Sequence, residues 1–212
     1  MHHLQAFPSI SEAEFADACA AIEGRCADRL ADTDWLSVKW SGSELLIKQQ
    51  RALNPVRPGL DCGDDNITEE LVEEPVDGET LLQRHQDSNS LIIDFSVTLS
   101  PTYCVPMLWF SGRRQSDGRP FSLDQVYEYL VPSATHTTLR GISVMGGISM
   151  THHPVSDLPA FFIHPCNTPE ALSVLADGAA LIPEDYLILW LGLIGSAVGL
   201  HIPSQFLVVG RE

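Results

Sequence analysis

Basic residues are scarce in this chain of 212 residues. Lys and Arg number 12 against 28 Asp and Glu, which gives a formal net charge of −16. Because phosphate binding requires clustered Lys and Arg, the composition argues against DNA or RNA as a partner, and it disfavours anionic membrane surfaces for the same reason. The remaining composition, 44% hydrophobic and 19% charged, is typical of a soluble globular protein, and the length fits one domain over residues 1–212.

An uninterrupted apolar run long enough to span a membrane is also missing. The most apolar segment, Leu187–Leu200, is interrupted by glycines and is followed closely by Pro203. It falls short of the roughly 20 consecutive apolar residues that cross a bilayer. We therefore predict no transmembrane segment, and a buried helix that begins at Pro183 or Glu184 instead.

Paired cysteines and cofactor motifs are lacking as well. The cysteines number five, none falls in a CxxC pair, and the first residues contain no secretory apolar region. This pattern favours free thiols in a reducing, cytoplasmic compartment. The glycines between residues 141 and 147 lack the lysine and the strand–helix context of a phosphate loop, so we predict no nucleotide cofactor.

The order of the predicted elements indicates the fold class. Ser11 and Glu14 form a capping box that begins an amphipathic helix, Ser11–Ala31, whose apolar stripe includes Cys19 and Cys26. The acidic block over 57–84 is predicted to be a flexible, solvated loop, since it lacks the spacing of a calcium site. The other predicted elements are strands over 35–40 and 44–50, a central antiparallel pair over 91–99 and 104–110, a helix over 123–130 capped by Ser122, a loop with some short strand over 131–150, and a helix over 168–176. Together they predict an α+β fold with an antiparallel sheet flanked by N-terminal and C-terminal helices.

Cys166 is the candidate nucleophile. It follows the apolar run Phe161–Ile163 and precedes a Thr-Pro-Glu sequence, which is typical of a helix start with Thr168 as N-cap. The sequence thus predicts that Cys166 lies just outside a helix N-terminus, where free N–H groups and the helix dipole favour the thiolate. Pro165 restricts the backbone immediately before the cysteine. The alternative is that Cys166 is a small core residue, as most single cysteines are.

Several motifs around and before this cysteine occur in a recognisable order. The motif at the cysteine is His164-Pro165-Cys166, preceded by two phenylalanines. The others are Tyr103–Phe110, Asp117–Leu123, His153-Pro154 and the segment from Trp190 to Pro203. In this combination the chain resembles the autophagy branch of the E2-like ubiquitin-like-conjugating enzymes. The resemblance implies an E2-like (UBC-like) core fold.

The resemblance also implies a thioester relay, without a cofactor or metal, that is needed for autophagosome formation. An E1-like activating enzyme (autophagy-related protein seven) would pass a ubiquitin-like modifier (autophagy-related protein twelve) to Cys166 as a thioester. A lysine of an acceptor protein (autophagy-related protein five) would then take the modifier in an isopeptide bond. Exposed parts of the strand pair over 91–110 would serve as docking edges for such partners.

The position of the cysteine departs from ordinary ubiquitin-conjugating enzymes, which carry His-Pro-Asn and place the cysteine some residues later. Here Cys166 stands where that asparagine, which helps to stabilise the oxyanion, would be. Tyr103 is the first candidate for a substitute donor and Asn167 a weaker one. The alternative is that Tyr103 only packs its ring in the sheet. We predict that His164 shapes the loop by hydrogen bonding and that His153 is a surface-loop residue.

Other functions fit the same residue types. The nearest is the lipid-conjugating sister enzyme of this branch, which has a similar His-Pro-Cys stretch. A cysteine hydrolase would activate the thiol with His152, His153 or His201, although no third group to orient the histidine is evident. A zinc site would combine the first two of these histidines with His164 and Cys166, at spacings that match no usual finger. The last alternative is a non-catalytic E2-like binding module.

Overall fold

An antiparallel sheet of six strands organises the fold. The computed structural model describes residues 3–53, 90–132, 147–175 and 180–207. The strands are β1 (Trp35–Trp40), β2 (Leu45–Ala52), β3 (Ser90–Leu99), β4 (Pro106–Arg114), β5 (Ile148–His152) and β6 (Pro159–Ile163). They follow the spatial order β1-β2-β3-β4-β6-β5, and each neighbouring pair is antiparallel. The predicted fold class and the central β3–β4 pair are therefore confirmed.

The outer strands of this sheet, in the described part of the chain, are β1 and β5. β3 is paired along its length with β2 and β4, whereas β4 pairs with β6 only at Trp109 and Phe110. The docking edges expected on the pair over 91–110 stay a prediction. The predicted acidic loop over 57–84 lies outside the described residues, as does most of the predicted loop over 131–150.

Short-range capping signals explain where two of the helices begin. The helices of the described residues are α1 (Glu12–Cys26), α2 (Leu123–Tyr129), α3 (Thr168–Leu175), α4 (Pro183–Trp190) and α5 (Ser204–Leu207). Ser11 and Ser122 each accept a hydrogen bond from the third backbone N–H of their helix and complete a capping box, as predicted. α1 ends at Cys26, before the predicted Ala31, and a turn follows in which the Arg29 N–H donates to the Cys26 carbonyl three residues back, at 3.1 Å.

The core lies between one face of the sheet and the helices α1 and α4, which contact each other. Cys19 and Cys26 are buried on α1, as the apolar stripe predicts. Other buried members are Ile47, Phe95, Phe110, Tyr186 and Trp190. Burying apolar side chains of this size contributes about 1.5–3 kcal/mol each. This core fixes the sheet from which the candidate site projects.

The predicted apolar helix from Pro183 is present, but its winding changes along its length. α4 continues as a π-helical turn over Leu191–Gly195 and a 3-10 turn over Ser196–Val198. The segment then ends at Gly199, which has a φ of 70° and so takes the left-handed conformation that glycine favours. Within the described ranges, none of the helices has the length and apolar content needed to cross a membrane.

Candidate active site

Cys166 lies on a short 3-10 turn, Pro165–Asn167, that follows β6 directly and leads into α3. The preceding strand holds this turn in place, because Phe161 and Ile163 are buried and the Phe161 ring stacks on Phe110 at 5.7 Å. The Cys166 side chain itself is exposed and its thiol is free. The fold therefore presents a thiol at the surface from the end of a buried strand.

The helix start at Cys166 differs from the prediction. His164, not Thr168, is the N-cap, since its Nδ1 accepts a hydrogen bond from the Cys166 backbone N–H at 3.1 Å. Pro165 takes the first helical position, and Thr168 is buried with helical angles of −61° and −43°. His-Pro and Thr-Pro both supply a side-chain acceptor followed by proline, and the chain uses the first of them. Cys166 thus lies within the first turn rather than outside it.

Tyr103 lies on the connection between β3 and β4, residues 100–105, which we name the Tyr103 turn. Its ring meets the His164 ring edge to face, with centroids 5.6 Å apart and planes at 79°. His164 in turn holds the backbone of Cys166 through the cap hydrogen bond. Asn167 lies half-buried on the same turn as Cys166. The structure therefore brings together four residues that the sequence analysis selected: Tyr103, His164, Cys166 and Asn167.

His153 is buried, so its prediction as a surface-loop residue is wrong. Its side chain is 6% exposed, and Nε2 lies 3.1 Å from Ser96 Oγ and 3.4 Å from a Glu44 carboxylate oxygen. Nδ1 accepts the backbone N–H groups of Val155 and Ser156. Burial lowers the pKa of His153, while the charge of Glu44 acts in the opposite direction. Sequence reasoning missed this polar cluster because Ser96 and His153 are 57 positions apart.

The three histidines proposed to activate the Cys166 thiol, two of which would also join the zinc site, do not gather around this residue. His152 and His153 lie where β5 turns towards β6, whereas Cys166 follows the other end of β6. The intervening strand spans about 16 Å at roughly 3.3 Å per residue. The His201 carbonyl accepts the indole N–H of Trp35 in β1, and three strands lie between β1 and β6. Among the residues that the structure describes, no group of three or more His, Cys, Asp or Glu side chains could hold a metal ion.

Burial separates the four cysteines that the structure describes into two groups. Cys19 and Cys26 are buried, and burial raises the pKa of Cys26 to about 11 and raises that of Cys19 as well. Such thiols stay protonated and unreactive near neutral pH. Cys104 and Cys166 are the exposed free cysteines of the described chain. β4 begins at Pro106, so the predicted strand start at Cys104 is wrong, and this residue belongs to the Tyr103 turn.

Comparison with known proteins shows the family to which the chain belongs. A family model described as autophagocytosis associated protein, active-site domain, matches residues 14–205. The ubiquitin-like-conjugating enzyme ATG10 of Gibberella zeae is 29% identical over 235 residues, covering 95% of this chain and 97% of the relative. The ATG10 of Arabidopsis thaliana is 34% identical over 140 residues, covering 64% of this chain and 60% of that protein. A crystal structure of the autophagic E2 Atg10 superposes with a TM-score of 0.52 at 14% identity, over 91% of this chain and 99% of that chain.

These findings define the class of protein and then the family. The antiparallel sheet with its flanking helices is an E2-like fold, and the chain is an E2-like conjugating transferase of autophagy. It belongs to the autophagocytosis-associated family, among the ubiquitin-like-conjugating enzymes named ATG10. The resemblance read from the ordered motifs is thereby confirmed.

Proposed function

We propose that Cys166 accepts a ubiquitin-like modifier as a thioester and passes it to a lysine of an acceptor protein. The observation that carries this proposal is the exposure of the Cys166 thiol on a turn that His164 caps. The ring of Tyr103 contacts the ring of His164 beside it. Following the family resemblance, the donor is the E1-like activating enzyme, autophagy-related protein seven. The modifier is autophagy-related protein twelve, the acceptor is autophagy-related protein five, and the reaction takes place in the cytoplasm.

Two acyl transfers make up the reaction. In the first, the Cys166 thiolate attacks the thioester carbonyl on the activating enzyme, and that enzyme's cysteine leaves as a thiolate. In the second, a neutral lysine amine attacks the Cys166 thioester and forms a tetrahedral intermediate that carries an oxyanion. Collapse of the intermediate expels the Cys166 thiolate, and the amine loses a proton as the isopeptide bond forms.

Tyr103 and His164 have different tasks in this proposal. The Tyr103 hydroxyl donates a hydrogen bond to the oxyanion, which replaces the asparagine of ordinary ubiquitin-conjugating enzymes. His164 positions the thiol, because its Nδ1 holds the Cys166 N–H and its ring holds the Tyr103 ring. A ring nitrogen that accepts a hydrogen bond carries no proton, so neutral His164 bears its hydrogen on Nε2. His164 therefore acts as a shaping residue of the turn rather than as a base.

Reconstitution with purified activating enzyme and modifier tests the proposal. On a non-reducing gel we expect the wild-type chain to form an adduct that thiols cleave. We expect no adduct from Cys166→Ala, and from Cys166→Ser an oxyester that survives reducing agents. Cys104→Asn removes the other exposed thiol of the described residues, and we expect it to charge normally. A thiol-sensitive adduct on Cys166→Ala would overturn the assignment of the nucleophile.

A parallel assay separates the two conjugation branches of autophagy. The same protein is charged once with the protein-linked modifier and once with the lipid-linked modifier. We expect a thioester with the protein-linked modifier, in keeping with relatives named ATG10. A thioester with the lipid-linked modifier alone would move the proposal to the sister enzyme. Charging with neither would favour the non-catalytic binding module.

A further inference from the structure

The Tyr103 turn contains an uncommon backbone conformation. Cys104 has a φ of 52°, in the left-handed region that L-residues rarely enter. The other left-handed non-glycine residues of the described chain, Asp32 and Asp157, are aspartates, which tolerate this region better. A cysteine held there costs free energy that surrounding contacts must offset, and such residues cluster at functional sites.

Hydrogen bonds on both sides hold this conformation. The Cys104 N–H donates to the Ser100 carbonyl at 2.9 Å, and the Cys104 carbonyl accepts the Ile10 N–H at 2.8 Å. Ser100 also donates its N–H to the Val105 carbonyl at 3.0 Å and accepts the Tyr103 N–H on its hydroxyl at 3.4 Å. Ile10 is 2% exposed and lies directly before the N-cap of α1. The turn is therefore tied to the core through its backbone.

The thiol of Cys104 contributes little to this arrangement. The side chain is exposed, and its Sγ lies 3.9 Å from the Pro101 carbonyl oxygen, which is a weak contact for a weak donor. The fold therefore uses the backbone angles of this residue and leaves its sulfur at the surface.

We propose that Cys104 is a positioning residue whose left-handed backbone directs the Tyr103 ring onto His164, beside the nucleophile. Rotation about the Cys104 backbone would reorient the peptide that carries Tyr103 relative to β4, and the ring would leave His164. This inference rests on the proposed role of the Tyr103 hydroxyl in discharging the Cys166 thioester.

Four substitutions of Cys104 test the inference, and all of them remove the sulfur. Glycine and asparagine adopt left-handed angles readily, alanine does so at a cost, and the β-branched valine does so least. We expect Cys104→Gly and Cys104→Asn to charge and discharge within about threefold of wild type. We expect Cys104→Val to charge normally but to discharge onto lysine about 10- to 100-fold more slowly, with Cys104→Ala between them. Single-turnover discharge of the purified thioester measures the second step alone.

A double-mutant cycle shows whether the effect acts through Tyr103. In a Tyr103→Phe background we expect Cys104→Val to slow discharge by less than about a further twofold, because the hydroxyl that it misplaces is already gone. NMR adds a readout that is independent of activity. The cross-peak between the Tyr103 and His164 rings should persist in Cys104→Asn and be lost in Cys104→Val.

Each contrary outcome overturns the inference in a different way. If Cys104→Asn loses as much discharge as Cys104→Val, the sulfur matters and the backbone does not explain the effect. If Cys104→Ala and Cys104→Val discharge at the wild-type rate, the left-handed angle is not needed; the alanine variant decides this even where the valine variant fails to fold. If the loss persists unchanged in the Tyr103→Phe background, Cys104 acts through something else. Failure of the proposed function is distinct, since wild type would then not charge, or Tyr103→Phe would discharge normally, while the NMR contact still reports on the turn.

Discussion

The Tyr103 ring packs edge to face on the His164 ring, with 5.6 Å between their centroids. Tyr103 belongs to the turn between the two central strands, and His164 caps the 3-10 turn that presents Cys166. Aromatic contacts of this geometry contribute about 0.5–1.5 kcal/mol beyond the burial of area. The contact can therefore help to keep the two turns aligned, and a substitution that removes either ring removes it.

Removing the Tyr103 hydroxyl alone separates its chemistry from its packing. Tyr103→Phe keeps the ring against His164, so we expect normal charging of Cys166. We expect discharge onto lysine to be slower by roughly 10²-fold, the usual loss for one oxyanion donor. Tyr103→Leu, which also lacks the ring, should likewise charge normally and discharge slowly, because the cap hydrogen bond of His164 to the Cys166 N–H is kept. Single-turnover gels measure both steps, and equal slowing of both in Tyr103→Phe would show that Tyr103 is only structural.

Substitutions of His164 separate the cap from the ring contact. His164→Ala removes the acceptor for the Cys166 N–H, and we expect a loss of about 0.5–2 kcal/mol in the free energy of unfolding together with slower charging. His164→Asn keeps a capping oxygen but lacks the ring, so it should recover most of the stability while discharge remains slow. Urea unfolding and charging rates test both variants. Identical stability losses in the two variants would exclude the cap hydrogen bond as the cause.

Short-range signals were sufficient to predict most of the fold. The caps at Ser11 and Ser122 depend on residues three positions away, and both formed as capping boxes. The strands predicted over 35–40 and 44–50 pair as β1 and β2, and the turn between them contains Gly42, whose φ of 93° favours glycine. The nucleophile of the candidate site could be predicted for the same reason, since the His-Pro-Cys motif is contiguous and follows an apolar strand.

Contacts between distant residues account for what could not be predicted. The choice between His164 and Thr168 as N-cap depends on where β6 ends, and its pairing with β4 and β5 decides that. The burial of His153 depends on partners elsewhere in the sheet. The left-handed angle of Cys104 has no local residue signal, because Ile10 from the N-terminal segment helps to hold it.

Gly199 joins the C-terminal segment to the sheet through Arg51. Its carbonyl accepts a hydrogen bond from the Arg51 guanidinium at 2.5 Å, and a Cβ on Gly199 would lie 2.6 Å from the same group. Since its φ is also 70°, we expect Gly199→Ala to lower the free energy of unfolding by about 1–3 kcal/mol. Gly192→Ala is the matched control, because a Cβ there meets nothing within 4 Å. Equal stability of the two variants in urea unfolding would contradict this account.

The cluster of His153, Ser96 and Glu44 gives the fold a pH dependence. Nδ1 of His153 accepts two backbone N–H groups, so that nitrogen carries no proton in the folded chain. Protonation there would break both hydrogen bonds. Burial also disfavours the protonated ring and lowers the pKa of His153 from its ordinary value of 6.5, while the charge of Glu44 opposes this shift.

The folded chain should therefore lose stability in acid through His153. Because the pKa of this group is lower in the folded than in the unfolded chain, the unfolded chain binds the additional proton. The stabilisation is fully present above about pH 6.5 and is lost as the pH falls through the folded pKa. His153→Asn can accept the same backbone N–H groups without titrating, so its free energy of unfolding in urea should fall less than that of wild type between about pH 7.5 and about pH 5. Parallel curves would contradict the prediction, and a relative gain by wild type would mean that attraction to Glu44 outweighs burial.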